Sequence, residues 1–221
     1  MSLVICTPIH GFGQTSFWKS ILKLQETLIY SDFDHAFLIL ENESLIQRAR
    51  NNSVTTFLDT EYDRFLFIDS DIEFEPEDVL KLWNLDVDVA VGAYPMKRID
   101  VPTCGWVDGK LIDLDEMDGP TPVDYAGTGF MMIKRDVFMK FHQEYEDRFH
   151  NEGKPGENVL SQRVSFNYFD TRVEDGIFYS EDYSFCKDFR QIGGEIILDP
   201  SIVLKHYGTY GFGDGRTKRR L

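Results

Sequence analysis

The chain has 221 residues, of which 42% are hydrophobic and 28% charged, which suits one soluble domain with a two-sided core. Its net charge of −15 disfavours nonspecific binding to nucleic acid or to an anionic membrane, because this surface repels their phosphates. Cys6, Cys104 and Cys186 show neither a CxxC pair nor zinc spacing, and no apolar run approaches membrane-spanning length. The expectation is a cytoplasmic protein with reduced cysteines, no signal peptide and no membrane span.

In chain order, Leu3-Val4-Ile5-Cys6 reads as a short buried strand. Gln14 to Tyr30 reads as a helix with Phe17, Ile21, Leu24 and Leu28 on one face. A second strand is expected over His35 to Leu40, then a helix over Glu43 to Thr60 with Leu45, Ala49 and Phe57 turned inward. Arg64 to Ile68 is a third strand, ending at Asp69-Ser70-Asp71. Glu75-Pro76-Glu77-Asp78 starts a helix, since proline suits the first turn and acids suit the positive end of the helix dipole. Val87 to Ala93 is a fourth strand.

The second half is less regular. Residues 100 to 125 suggest a meander or a long loop, Arg135 to Arg148 a helix, and residues 150 to 175 a mobile loop. Phe130 to Ile133 reads as a strand, Glu181 to Ile192 as a helix closed by Gly193-Gly194, and Ile196 to Leu198 as a last strand before an Asp199-Pro200 turn. Arg216-Thr217-Lys218-Arg219-Arg220 is the one basic cluster, so residues 1–210 are expected to form the domain and residues 211–221 a basic tail or a linker to a further domain.

Strands alternating with helices imply an α/β fold with a mixed, mainly parallel sheet. Ligands bind such sheets beyond the carboxyl ends of the strands, where Thr7-Pro8, Glu41-Asn42 and Asp69-Ser70-Asp71 all fall. Two carboxylates one residue apart repel each other unless a cation stands between them, and hard oxygen ligands suit Mg2+ or Mn2+. The competing readings are an acidic turn that caps the next helix, and an aspartate-nucleophile phosphatase, which wants Thr or Val where this chain has Glu73.

The ordered set of Thr7-Pro8, the stretch FLFIDSDIEF from Phe65 to Phe74, Ala126-Gly127-Thr128-Gly129-Phe130, Ser180-Glu181-Asp182-Tyr183 and a late His206 resembles the GT-A glycosyltransferases. It is similar above all to soluble bacteriophage and viral members, including the glycosyltransferase domains of large algal viruses. The chain departs from that family at Thr7-Pro8-Ile9-His10, where many members read Pro-Thr-Tyr-Asn. The resemblance implies a GT-A fold and a glycosyltransferase of the hexosyltransferase type. It implies Mn2+ or Mg2+, a nucleoside-diphosphate sugar donor (a UDP-sugar) and a glycan or glycoprotein acceptor.

The resemblance also assigns residues. Asp71 and His206 are expected to ligate the metal, with Asp69 on the metal shell or the donor ribose. Thr7, Pro8, Glu41 or Asn42, and Ser70 line the nucleotide pocket. Arg48 is the candidate for base or diphosphate contact. It lies about 200° from Arg50 on a helix, so one of the two faces the site. Gly127, Thr128 and Gly129 admit the donor to backbone amides or make a tight turn into the next strand. Asp182 is the expected base that takes the acceptor's proton, or an acceptor ligand, with Glu181 beside it in the sugar pocket. Serine capping with acids in a first helical turn explains Ser180-Glu181-Asp182 equally well. Tyr94, Trp106 and Tyr125 are candidates for stacking on sugar rings. Gly11-Phe12-Gly13 reads as a flexible turn.

Two rival functions are a sugar nucleotidyltransferase and a nucleotide- or carbohydrate-binding module without catalysis. The first expects Arg and Lys in the loop after the first strand, which Gly11-Phe12-Gly13-Gln14 lacks.

Overall fold

The computed structural model describes residues 2–97, 105–152, 163–208 and 211–212. The first half alternates as β1 (Ser2–Ile9), α1 (Thr15–Tyr30), β2 (Asp34–Glu41), α2 (Ile46–Leu58), β3 (Arg64–Ile68), a short β4 (Ile72–Glu73), α3 (Pro76–Leu85) and β5 (Val89–Val91). Next come β6 (Trp106–Val107), β7 (Lys110–Leu111), β8 (Thr121–Val123), β9 (Phe130–Lys134) and α4 (Arg135–Glu144). The rest comprises β10 (Phe149–Glu152), β11 (Arg163–Phe166), β12 (Arg172–Glu174), β13 (Ile177–Tyr179), α5 (Glu181–Gln191), β14 (Ile196–Leu198), β15 (Lys205–Tyr207) and β16 (Gly211–Phe212).

The main sheet has the order β2-β1-β3-β9-β5-β14-β8. β1 runs parallel to β2 and β3, and β5 parallel to β14. β9 enters between β3 and β5, antiparallel to both, and β8 closes the far edge antiparallel to β14. The sheet is mixed and mainly parallel, as the alternation implies.

Period-two alternation sends β3 side chains to two cores. Phe65 and Phe67 join Phe57 of α2, Phe138 and Phe141 of α4, and Phe185 and Phe189 of α5. Leu66 and Ile68 join Phe17, Leu24 and Leu28 of α1 and Val79 and Leu82 of α3. Helices thus cover both faces, and the functional end of the sheet is left to the loops. Burial pushes the Cys6 thiol under that end up to about 12, as for a packing residue, and Cys186 is likewise buried.

Several expectations change. The helix expected over Glu43–Thr60 spans only Ile46–Leu58, and Leu45 is an extended residue before it, 52% exposed rather than inward. The helix expected to reach Arg148 stops at Glu144 and continues as a 3-10 turn over Glu146–Arg148. The segment expected as a mobile loop holds β10 paired to β11 and β12 paired to β13, both antiparallel, while residues 153–162 lie outside the described residues. Of the expected meander, β6, β7 and β8 are described, and residues 100–104 are not. Of the expected tail, Gly211–Phe212 pairs with β15, and residues 213–221 are outside the description.

Candidate functional site

The carboxyl ends of β1, β2 and β3 open into a cleft of about 760 Å³, within the usual range for a small-molecule site. It is lined at one side by Pro8, Ile9 and Leu40, and at the other by Asp69, Ser70, Asp71, Lys97, Glu181 and His206.

Asp69 leaves β3 with its amide donating to the Gly129 carbonyl at 3.0 Å. The turn closes when the Ile72 amide donates back to the Asp69 carbonyl at 3.1 Å. The Gln14 amide takes the Ser70 carbonyl at 2.9 Å, and the Tyr207 amide takes the Asp71 carbonyl at 2.8 Å. Beyond β4, the buried Ser20 hydroxyl donates to the Phe74 carbonyl at 2.6 Å and accepts from its amide at 3.1 Å, pinning α1 to the chain. Glu75 and Asp78 then form a capping box around Pro76 at the start of α3. The Asp69-Ser70-Asp71 turn is therefore held by backbone bonds from three separate segments, at Gln14, Gly129 and Tyr207.

Each aspartate has its own cationic partner. Arg50 Nη2 lies 3.2 Å from both carboxylate oxygens of Asp69 and donates to Oδ2. Asp71 divides its oxygens between the Lys97 ammonium and His206 Nε2, the latter at 3.3 Å. Burial alone would raise the Asp71 carboxyl, but hydrogen bonds and charge from His206 and Lys97 outweigh it and hold it below the usual carboxylate range. His206 Nδ1 donates to the Pro95 carbonyl at 2.8 Å, which leaves Nε2 facing Asp71. Metal-binding histidines are oriented in this way.

One of the two arginines faces the site, as expected, but it is Arg50 rather than the favoured Arg48. Arg48 lies outside the cleft and pairs with Glu43 at 2.6 and 2.7 Å. Arg50 is 3% exposed, with its Cζ 5.0 Å from the Phe67 ring centroid and its Nε 3.5 Å from Glu181 Oε1. Burial opposes its charge, and Asp69 and Glu181 more than restore it, so the guanidinium stays cationic. Its Nη1 is buried with no hydrogen-bond partner, as is Asp69 Oδ1. A signal for Arg50 was available, since the buried stripe of α2 read back from Phe57 through Val54 reaches Arg50 at helical spacing. The stripe through Arg48 is polar, running to Asn52 and Thr55.

The other expected residues are placed as follows. Thr7 is buried within β1, whereas Pro8 and Ser70 line the cleft. Glu41 and Asn42 end β2 exposed, and Glu43 and Ser44 of the following turn line the cleft instead. Gly127, Thr128 and Gly129 are buried. The Gly129 amide is taken by the Tyr94 hydroxyl at 2.9 Å, so it faces Tyr94 rather than the cleft. A Cβ at Gly129 would meet that hydroxyl oxygen at 2.7 Å and Asp69 Oδ2 at 3.0 Å, so glycine is what lets β9 pass this close behind Asp69. Tyr94 is a buried support rather than a sugar platform, with its ring edge-on to His206 at 5.1 Å. Trp106 and Tyr125 are half-buried and bridged through their backbones, and the Tyr125 ring lies 5.2 Å from Tyr183.

Glu181 and Asp182 occupy the first turn of α5, where the dipole favours acids. Glu181 faces the cleft; Asp182 stands beside it, accepting from the Ser180 hydroxyl and from the Tyr183 amide at 2.8 Å. Burial and the Glu181 charge raise the Asp182 carboxyl, and the Ser180 and Tyr183 hydrogen bonds and Arg50 only partly counter them, leaving it at about 6.

Among the described residues, no cluster of three or more His, Cys, Asp or Glu side chains is close enough to hold a metal. Asp71 and His206 are brought together, while Asp69 is turned to Arg50. Two protein donors still fit Mg2+ or Mn2+ bound with substrate phosphates, because such ions keep several waters and take one or two carboxylates.

No protein-family model and no curated protein matches the chain. Among solved structures it is similar to A197 from STIV, at 17% identity over 94% of this chain and 86% of that one, with a TM-score of 0.56. It is also similar to GalNAc-T7, crystallised with UDP, GalNAc and Mn2+, at 10% identity and a TM-score of 0.54. That match covers 93% of this chain and 44% of the GalNAc-T7 chain. Among the described residues no helix is long and apolar enough to cross a membrane. Both likenesses are likenesses of fold, and with the β2-β1-β3-β9-β5-β14-β8 sheet they identify a GT-A-like fold.

Proposed function

We propose that the protein is a metal-dependent glycosyltransferase that moves a sugar from a nucleoside-diphosphate sugar, a UDP-sugar, to a hydroxyl of a glycan or glycoprotein. The observation that carries this reading is the charged wall of the cleft. Asp71 with His206 can hold a cation, and a buried Arg50 with an unpartnered Nη1 stands between Asp69 and Glu181. The complex of GalNAc-T7 with UDP, GalNAc and Mn2+ supports it through the shared fold.

A bound divalent cation would neutralise the leaving diphosphate as a Lewis acid. Asp71 and His206 would hold it, and Lys97, paired with Asp71, would add positive charge beside the diphosphate. Arg50 holds Asp69 and Glu181 in place and offers Nη1 to a donor oxygen. The acceptor oxygen attacks the anomeric carbon, the bond from that carbon to the diphosphate oxygen breaks, and the diphosphate departs with the electron pair. Asp182 takes the acceptor's proton. A carboxyl at about 6 is a better base near neutrality than an ordinary aspartate and is still ionised at pH 7.

Two results test this reading. UDP titrated by calorimetry is expected to bind the wild type with Mn2+, and to lose its metal dependence in Asp71→Ala. Equal binding by both proteins would remove the metal role. Transfer is also expected to fall about tenfold per pH unit below about pH 6, as Asp182 becomes protonated. A rate that stays flat down to pH 5, or an Asp182→Asn protein with the same profile, would exclude Asp182 as the base.

A further inference from the structure

We infer that the protein pairs with a second copy of itself along the free edge of β2, with the two α1 helices meeting on one face of the joined sheet. Among the described residues β2 pairs with β1 alone and ends the main sheet. It is eight residues long, runs through Ala36-Phe37-Leu38-Ile39-Leu40, and holds no proline, lysine or glycine. None of its residues is buried, and Ile39 is 44% exposed. Sheets normally blunt such an edge, because its unpaired N–H and C=O groups take up another strand. The opposite edge of the same sheet is blunted, since β8 is three residues long and carries Pro122.

Backbone direction decides which residues face the open side. The Asn42 amide donates to the Ile9 carbonyl at 2.9 Å, so the even-numbered residues of β2 turn their backbone groups to β1. His35, Phe37, Ile39 and Glu41 therefore turn theirs outward. In an antiparallel pair, outward residues bond only to outward residues. That rule forbids Asp34 opposite Glu41, which would set like charges together. A two-fold axis at Leu38 pairs every outward residue, with Phe37 opposite Ile39 and His35 opposite Glu41. An axis at Phe37 or at Ile39 would leave Glu41 or His35 without a partner inside the strand.

The axis stands normal to the sheet, because paired residues of an antiparallel ladder share a face, so both α1 helices lie on the same side. There α1 carries a second apolar row of Trp18, Leu22 and Ile29, with Leu22 68% and Ile29 60% exposed. Gln25 belongs to that row, and its Nε2 stands 3.0 Å from His35 Nε2, which sets the row beside β2. An unrelated strand added to β2 would leave the row in water, whereas a second copy covers it with its own. The carboxyl ends of the two β2 strands then point to opposite ends of the joined sheet, and the two clefts open away from each other.

Sedimentation equilibrium tests this. The wild type should show twice the chain mass of 25.7 kDa at micromolar concentration. Ile39→Pro removes an outward N–H but no bond to β1, and Leu22→Asp sets a charge in the α1 row. Each should weaken the dimer about tenfold or more. Leu38→Cys gives a second readout, because facing residues at the axis stand with Cα atoms about 4.5 Å apart, within disulfide reach. It is made with Cys104→Ser, so that the remaining native cysteines, Cys6 and Cys186, are buried. Mild oxidation should then link two chains through Leu38→Cys and leave Cys104→Ser alone unlinked. A wild type still monomeric at about 100 μM would overturn the inference. So would open-ended aggregates in place of a dimer, since a two-fold contact closes on itself. A dimer that Leu22→Asp leaves as tight, or that Leu38→Cys fails to link, would place the contact elsewhere. Those two variants decide the matter even where circular dichroism shows that Ile39→Pro has not folded.

Discussion

Arg50→Met is expected to lower sugar transfer about 10²- to 10³-fold, the usual loss when one preorganised donor of a water-poor site is removed. Methionine fills much of the volume over Phe67 but offers no N–H to Asp69, Glu181 or the donor. Asp69 and Glu181 are each partly exposed, so water offsets some of the lost charge and the protein should still fold. A second readout separates this role from simple packing. Arg50 is one of the groups that lower the Asp182 carboxyl, so its loss should move the acid limb of the pH–rate profile above about 6. A folded Arg50→Met protein with the wild-type rate and an unmoved acid limb would remove Arg50 from the site. Arg48→Met is the matched control and should change transfer little, because Arg48 itself does not line the cleft.

The second large effect is on stability. Asp188 of α5 is 1% exposed and accepts from Arg148 Nη1 at 2.6 Å and from Arg172 at 2.8 and 2.5 Å. It ties the turn after α4 and strand β12 to the helix that begins with Glu181 and Asp182. Asp188→Ala leaves two guanidinium groups facing each other over a cavity. Breaking such a buried network costs about 3–5 kcal/mol, and the partial exposure of both arginines favours the lower end of that range. Urea denaturation of the wild type and Asp188→Ala measures it. A loss below about 1 kcal/mol would place this cluster with ordinary surface ion pairs.

Much of the frame was legible in the residues. β3 and β14 span the residues read as strands, Arg64–Ile68 and Ile196–Leu198, and α1 buries the four side chains its periodicity marks. These are local effects of side-chain period, and they also place Asp69-Ser70-Asp71 at the open end of a buried strand. The acids of α3 and α5 fall in first turns for an equally local reason, the helix dipole.

The errors lie where local pattern competes with long-range pairing. The polar, Gly- and Pro-containing stretch around β10 to β13 reads as a loop because each strand is short and is stabilised by a partner across a hairpin. Leu45 was expected inward because helical period was extended past the point where the helix starts. Tyr94 looked like a candidate sugar platform, but β5 and β9 bring it under Gly129 and His206.

The sequence alone was enough to establish an alternating α/β chain, the strand that carries the paired aspartates, and the helix start that carries Glu181 and Asp182. Tertiary packing chose Arg50 over Arg48, supplied Lys97 to Asp71 beside the expected His206, and gave the two aspartates separate cationic partners. The physical reason is range. Periodicity, capping and turn chemistry act within a few residues and can be read along the chain. A counter-charge is chosen by whichever side chain the sheet brings within about 4 Å, and Arg50 and Lys97 reach their carboxylates only through β-sheet register and helix packing.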